Sequence, residues 1–433
     1  MAELTVKRLG DGVSLTAVRD DSYKTNRISC SFFLPLAAQT ASRYAILPHL
    51  LTRSCRKYPD FTQLNQRLSE LYGARAGCMV RKIGEVQAVT VAIGSIQDRY
   101  ALEGEDVAAQ CADLLLEMIF RPALEDDMFR AEDVEQERRQ LIEQIDAEFT
   151  DKRSFAKTRC EQLMCEGEAY GVDRLGSRDS AVALSAREIT DAWRQMLRTA
   201  RVEVMLLGQI DADDVGARFA DAFSSFGRGN VADCHTQTGK TPQTVREFTD
   251  EFDVAQSKLV LGFRTKTAEP GADVMAMRLM AALYGGTAHS KLFLNVREKL
   301  SLCYYCSSRY DKNKGIMLVE SGVESANKQA AQAEILRQLK AVQEGDFTEE
   351  ELSAAKLSVK NSFRTVSDSP AYLENWYLTQ SFDGKTYSPA EAAEAVDRVA
   401  KEQVVACAQG VALDTVYLLT GRQVQNEKAG DAD

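Results

Sequence analysis

Two matching phrases constrain this chain more than anything else in it: VEVMLLG, ending at Gly208, and TVYLLTG, ending at Gly421. Each is a short apolar strand that follows a helical stretch and closes on glycine. A closure repeated once in each half predicts an internal duplication, with two domains of similar architecture. The chain's 433 residues allow it, since domains run to roughly 100–200 residues each.

The rest of the pattern agrees. LTVKRL, GVSLTAV and RISCSFFLPL read as strands. FTQLNQRLSELYG spaces Phe61, Leu64, Leu68 and Leu71 three and four apart, an amphipathic helix that Gly73 closes. AGCMVRKIGEVQAVTVAIGS, with glycine at its turn, predicts a hairpin. EDVAAQCADLLLEMIF carries Val107, Cys111, Leu114, Leu115, Met118 and Ile119 on one helical stripe, and Pro122 stops it. A long charged helical region follows over about 126–166, then a helix near 186–199. Gly, Ser, Thr, Asn, Asp and Pro crowd 224–243 with no surviving apolar period, which marks a linker. The expected division is a first domain over 1–225, a linker over 226–242 and a second domain over 243–433. The second half brings strands in SKLVLGFRT, LCYYCSSRY and GIMLVESGV, a helix through VMAMRLMAALYGG, and four helical stretches before the last strand. Strands and helices mix without strict β-α-β alternation, so the class is α+β.

Composition narrows the function. The net charge is −11 and no Lys/Arg-rich run tracks a phosphate backbone, which argues against nucleic-acid binding. Glu3, Lys7 and Arg8 interrupt any signal-peptide core, and no apolar stretch approaches the ~18 residues of a membrane span. Ten cysteines at irregular spacings suit free thiols in a reducing compartment. The expectation is a cytoplasmic protein with no membrane contact. One pair, Cys303-x-x-Cys306, has metal-like spacing, but no second CxxC completes a zinc site. Residues three apart on a regular strand face opposite ways, so both are expected to be buried structural thiols.

Phosphate-binding loops of the GxxxxGK[ST] and GxGxxG types and the GxSxG nucleophile turn are absent. Only His49, His235 and His289 are present, too few for a site built on several imidazoles. His235 falls in the linker and His289 follows Gly285-Gly286, both expected on the surface.

His49 is different because of its surroundings. AILPHLLTRSCRKYPDFTQLNQRLSELYGA, residues 45–74, resembles the signature region of the pitrilysin/insulinase family of zinc metallopeptidases, which includes mitochondrial processing peptidase. GGTAHSKLFLNVREKLSLCYYCSSRY, residues 285–310, is similar to that family's C-terminal region. The resemblance implies two similar α+β domains related by duplication, each a mainly antiparallel sheet packed with helices. In active members H-x-x-E-H on one helix supplies two zinc ligands and a base for the zinc-bound water. The corresponding residues here are His49-Leu50-Leu51-Thr52-Arg53. Thr52 has no proton-accepting group at neutral pH, and Arg53 has no lone pair for a metal and would repel a dication. Pro48 removes a backbone donor, so the helix is expected to start near it or to kink. The family's third ligand, a Glu seven residues after another Glu, aligns with Gln144 after Glu137, and a neutral amide is a poor substitute for carboxylate on zinc.

In active members an Arg, and a Tyr seven residues later, hold the substrate backbone and stabilise the oxyanion. Arg297 and Tyr304 stand in that relation. The resemblance therefore implies a chain with no catalytic residues and no zinc or other cofactor of its own. Such a subunit would bind unfolded peptide through Arg297 and Tyr304. It would pair with a catalytic pitrilysin-family paralogue that carries the zinc, and a homodimer is allowed when that partner is missing. Two alternatives remain at this point: a scaffold subunit that binds no peptide, and a peptidase with unorthodox ligands drawn from His49, Glu137, Glu148 or Cys55.

Overall fold

The computed structural model describes residues 3–271, 273–383 and 385–421. They form two compact units, each built on a sheet.

The first unit holds strands β1 (Glu3–Gly10), β2 (Val13–Arg19), β3 (Thr25–Pro35), β4 (Arg75–Ile83) and β5 (Val86–Ile96). The two-residue strands β6 (Leu124–Glu125) and β7 (Met128–Phe129) pair only with each other, as a separate ribbon, and β8 (Arg201–Leu207) completes the sheet. The order is β1-β2-β8-β3-β5-β4, antiparallel throughout except where β2 runs beside β8. β3 and β8 are covered on both faces and are apolar almost without break, whereas the edge strands β1 and β4 alternate between covered and open positions. One face, carrying Leu15, Phe32, Val91 and Val204, forms the main core with helices α1 (Ala41–Leu51), α2 (Phe61–Glu70) and α3 (Val107–Phe120). The other face, carrying Phe33, Ala88, Met205 and Leu207, packs on Leu373, Tyr377 and Leu378 of the helix Pro370–Leu378.

The second unit holds β9 (Arg246–Phe252), β10 (Ser257–Arg264), β11 (Cys303–Asp311), β12 (Ile316–Val323) and β13 (Ala412–Gly421), in the order β11-β12-β10-β13-β9. Here β13 runs parallel to β9 and the other pairs are antiparallel. Set β9, β13, β10, β12 and β11 against β2, β8, β3, β5 and β4, and order and direction match strand for strand. The two Gly-closed apolar strands, β8 and β13, hold the same interior place in their sheets. The duplication is real, with β1 added to the first copy.

Other expectations need correction. The charged region over 126–166 is helical as expected, and it is divided into two helices, α4 (Ala131–Thr150) and α5 (Lys152–Met164). They separate at Asp151, whose carboxylate accepts from the Arg153 and Ser154 amides as an N-cap. Phe61 is 58% exposed, so the buried stripe of α2 is Leu64 and Leu68. Where four helical stretches are expected before β13, five form: Lys328–Gln343, Glu349–Arg364, Pro370–Leu378, Pro389–Asp397 and Lys401–Gln409. No helix or strand lies between Phe226 and Arg246.

The units are not contiguous in sequence. Phe149–Glu166 belongs with the second sheet and Phe363–Pro389 with the first. The Tyr23 hydroxyl donates to the Ser367 carbonyl at 2.6 Å, and Arg27 on β3 pairs with buried Glu374 at 2.9 Å. These bonds tie the later segment to the first sheet.

Candidate functional site

Pro48 sits in the last turn of α1, where the chain was expected to start or kink, and the helix runs three residues past it. With no N–H at Pro48, the Tyr44 carbonyl loses its helical donor, and the helix ends at Leu51. Thr52 caps it. Its amide and its hydroxyl both donate to the Pro48 carbonyl, at 3.1 and 2.9 Å, and the hydroxyl also reaches the His49 carbonyl at 3.1 Å. That hydroxyl is spent on backbone. His49 is half-buried, with Nδ1 3.5 Å from the Cys78 Sγ on β4. Burial lowers its pKa, and the nearby Glu137 carboxylate only partly opposes this. A neutral imidazole follows at pH 7.

Arg53 lies beyond the helix and turns toward α4. Its Nε is 2.6 Å from Asp133, its Nη1 3.1 Å from Glu137, and its Nη2 donates to Gln136 at 2.7 Å. Asp133 and Glu137, one turn apart on one face of α4, are both 94% buried. Arg130 gives Asp133 a second partner at 2.7 Å. The charge compensating these buried carboxylates is thus a guanidinium, held by a fork of charge-assisted bonds. Gln144, two turns along α4, faces solvent.

This donor set does not fit zinc. The carboxylate that would turn to a metal already holds Arg53, Thr52 offers no base, and Gln144 points to water. Among the described residues no group of three or more His, Cys, Asp and Glu could hold a metal ion. The unorthodox set fares no better, since Glu148 pairs with Arg174 and Cys55 is enclosed in the main core. Reading the sequence missed Asp133, Gln136 and Cys78. Asp133 had a signal, because it stands one helical turn before Glu137 in DVEQE.

Arg297 and Tyr304 lie in the second unit. Arg297 is exposed at the end of Leu292–Lys299, a segment wound as a π-helix, a form frequent at functional sites. Its guanidinium lies over the Phe293 ring at 4.6 Å and pairs with Glu298 at 3.6 Å. On β11 the ladder with β12 skips one residue: Cys303 faces Val323 and Tyr305 faces Gly322. Tyr304 is the extra residue of a β-bulge, the device that re-aims a side chain, and it is 59% exposed. Its hydroxyl donates to Glu324 at 3.2 Å, and that bond raises its pKa, so it stays a proton donor. Leu294 and Leu300 are exposed in the same stretch.

The bulge also corrects the reading of the cysteines. Cys303 faces Val323 and Cys306 faces Ser321, two positions apart on β12, so both thiols share one face of the sheet. Both are buried, as expected.

The family pattern described as "Peptidase M16 inactive domain" matches residues 183–359. A Bacillus subtilis (strain 168) protein named "probable inactive metalloprotease YmfF" is 30% identical over 415 residues, covering 95% of this chain and 96% of that protein. A second protein of the same organism, "antilisterial bacteriocin subtilosin biosynthesis protein AlbE", is 27% identical over 241 residues, 54% of this chain and 58% of that one. Among solved structures, a conserved protein from Enterococcus faecalis V583 superposes with a TM-score of 0.89 at 26% identity, covering 97% of this chain and 99% of that one. A peptidase M16 inactive domain from Pseudomonas fluorescens gives 0.78 at 16% identity, with 97% and 98% covered.

Proposed function

The chain belongs to the pitrilysin family as one of its inactive, non-catalytic members, and from that premise we propose that it is the substrate-holding subunit of a heterodimeric metallopeptidase. Its partner in this reading is a catalytic paralogue that carries the zinc and the base, and the shared substrate is an extended, unfolded peptide.

The observation that carries the reading is the contrast between the two sets of inherited positions. Where the metal chemistry would be, an arginine is locked among carboxylates. Where substrate would be held, Arg297 and Tyr304 are intact and open, Tyr304 lifted out of the strand by a bulge. A tyrosine re-aimed outward by a bulge, with an exposed arginine and exposed leucines on the segment that leads into the same strand, supports a peptide-binding role. The chemistry suits a peptide backbone. A phenol that stays protonated and a guanidinium both donate to carbonyl oxygen, and Glu298 and Glu324 are surface partners that a peptide can displace.

The test is reconstitution. The chain is mixed with a catalytic paralogue encoded in the same genome, and cleavage of an unstructured peptide is followed. Neither protein alone should cleave appreciably. Arg297→Ala should lower kcat/KM of the complex at least tenfold, because a charge-assisted bond to substrate is removed. Equal cleavage by the mutant and wild-type complexes would leave the scaffold alternative as the better account.

A further inference from the structure

The bulge at Tyr304 does more than expose a tyrosine. On a regular strand, residues three apart sit about 10 Å from one another on opposite faces. Here the skipped residue sets Cys303 and Cys306 opposite positions only two apart on β12, which puts them about 6.7 Å apart along the ladder. That lies at the upper end of the ~4.4–6.8 Å Cα separation that a disulfide spans. Both thiols are buried, and Ser321, which faces Cys306 on β12, is buried between the strands with its hydroxyl donating to the Tyr305 carbonyl at 3.1 Å.

We propose that Cys303 and Cys306 form a redox-active dithiol that closes to a disulfide across the bulge by exchange with a small disulfide of the glutathione type. The proposal goes beyond the peptide-binding role and does not depend on it.

The roles of the two sulfurs differ. The Cys306 thiol, the Ser321 hydroxyl and the Arg297 charge all favour a thiolate at Cys303 and outweigh its burial, bringing its pKa down to about 7. Cys306 is pushed up, first by its bond to Cys303 and then by burial. Burial raises Cys30, Cys55, Cys78, Cys111, Cys160, Cys234 and Cys407 as well. Cys303 is therefore the nucleophile. Its thiolate attacks one sulfur of the small disulfide, a mixed disulfide forms, and one small thiolate leaves. Cys306 then loses its proton and attacks the Cys303 sulfur, expelling the second small thiolate. The protein's two thiols are oxidised by two electrons, the small disulfide is reduced to two thiols, and the two protons end on them.

The chain lends itself to a direct test. Tryptic cleavage after Lys299 and Arg309 releases Leu300–Arg309, which holds Cys303 and Cys306 and no other cysteine. The reduced full-length protein is incubated with oxidised glutathione, alkylated and mapped without reduction. The expected result is that this peptide loses two hydrogens and takes up no alkyl group, while Cys306→Ser stops at one glutathione on Cys303. Folding of the variant is checked by circular dichroism, but the wild-type map decides on its own. Two alkylated thiols in Leu300–Arg309, or a bridge from either cysteine to another part of the chain, would overturn the proposal.

Discussion

Arg53 Nη1 lies 3.1 Å from the Glu137 carboxylate, and the same guanidinium contacts Asp133 at 2.6 Å. An internal cation has taken over Glu137, the first Glu of the pair that the resemblance aligned, together with Asp133, which the sequence reading did not single out. Removing it should cost more than a surface substitution. Arg53→Met leaves Glu137 buried with its partner gone, while Asp133 keeps Arg130. Stability should fall by about 2–3 kcal/mol, less than the ~3–5 of a fully buried pair, read as a lower urea midpoint. Adding Glu137→Gln should restore part of the loss. A midpoint unmoved by Arg53→Met would mean that the ion pair is ornamental.

Zinc binding should not return when the motif is rewritten. Thr52→Glu with Arg53→His recreates H-x-x-E-H in sequence, but α1 ends at Leu51 and Gln144 faces solvent. The two imidazoles and the third ligand are not brought to one point. Elemental mass spectrometry after dialysis should find near zero zinc in both wild type and variant. Stoichiometric zinc in the wild type would overturn the account of the site, and zinc in the variant alone would show that the helix end rebuilds.

Much of this was legible in the residues. Period-two and period-3.6 patterns located nearly every element, and the two Gly-closed strands located the duplication. Periodicity is blind to what has no period. Tyr304 is displaced by a missing ladder partner, which depends on the register of β12 and not on β11's own sequence. The transfer of α5 to the second sheet and of Pro370–Leu378 to the first is equally silent, because an amphipathic stripe states that a face is buried, not against which sheet. At the site, Thr52 and Arg53 foretold the loss of chemistry. The partner of Arg53 was hidden because Asp133 lies 80 residues away.

The His49 environment predicts a pH effect. Burial holds its folded pKa below the ordinary imidazole value, so as pH falls below about 6.5 the unfolded chain takes up a proton that the folded chain refuses. The stability contributed by this group is present above that pH and is lost toward the lowered folded pKa. Urea midpoints of wild type and His49→Gln should therefore converge or cross as pH drops from 8 to 5. Parallel curves would count against a buried neutral His49.

Tyr304→Phe should separate function from folding. The ring is largely exposed and, among the described residues, its hydroxyl bonds only Glu324, so the urea midpoint should not move. Affinity of the reconstituted complex for an extended peptide, measured by fluorescence anisotropy, should weaken about five- to tenfold. A shifted midpoint would mark Tyr304 as a structural residue, and unchanged affinity would remove it from the substrate site.

The two glycines before this region should respond in opposite ways. A Cβ at Gly285 would lie 2.7 Å from the Ser308 amide nitrogen and 2.7 Å from Leu292 Cδ1. The nitrogen belongs to the β11 backbone and cannot step aside without disturbing the ladder below the bulge. At Gly286 the nearest atom is the Ala281 carbonyl oxygen at 3.4 Å, an ordinary contact. Gly285→Ala should therefore destabilise the protein by about 1–3 kcal/mol, as overpacking does, whereas Gly286→Ala should stay within about 0.5 kcal/mol of wild type. Because β11 also carries Tyr304, Gly285→Ala should weaken peptide binding by the complex as well, and Gly286→Ala should leave it intact. Urea unfolding and anisotropy on the same two variants check both halves. Equal stability of the two variants would show that β11 yields at Ser308, and that the glycine pair is a turn preference and not a close approach of backbone to backbone.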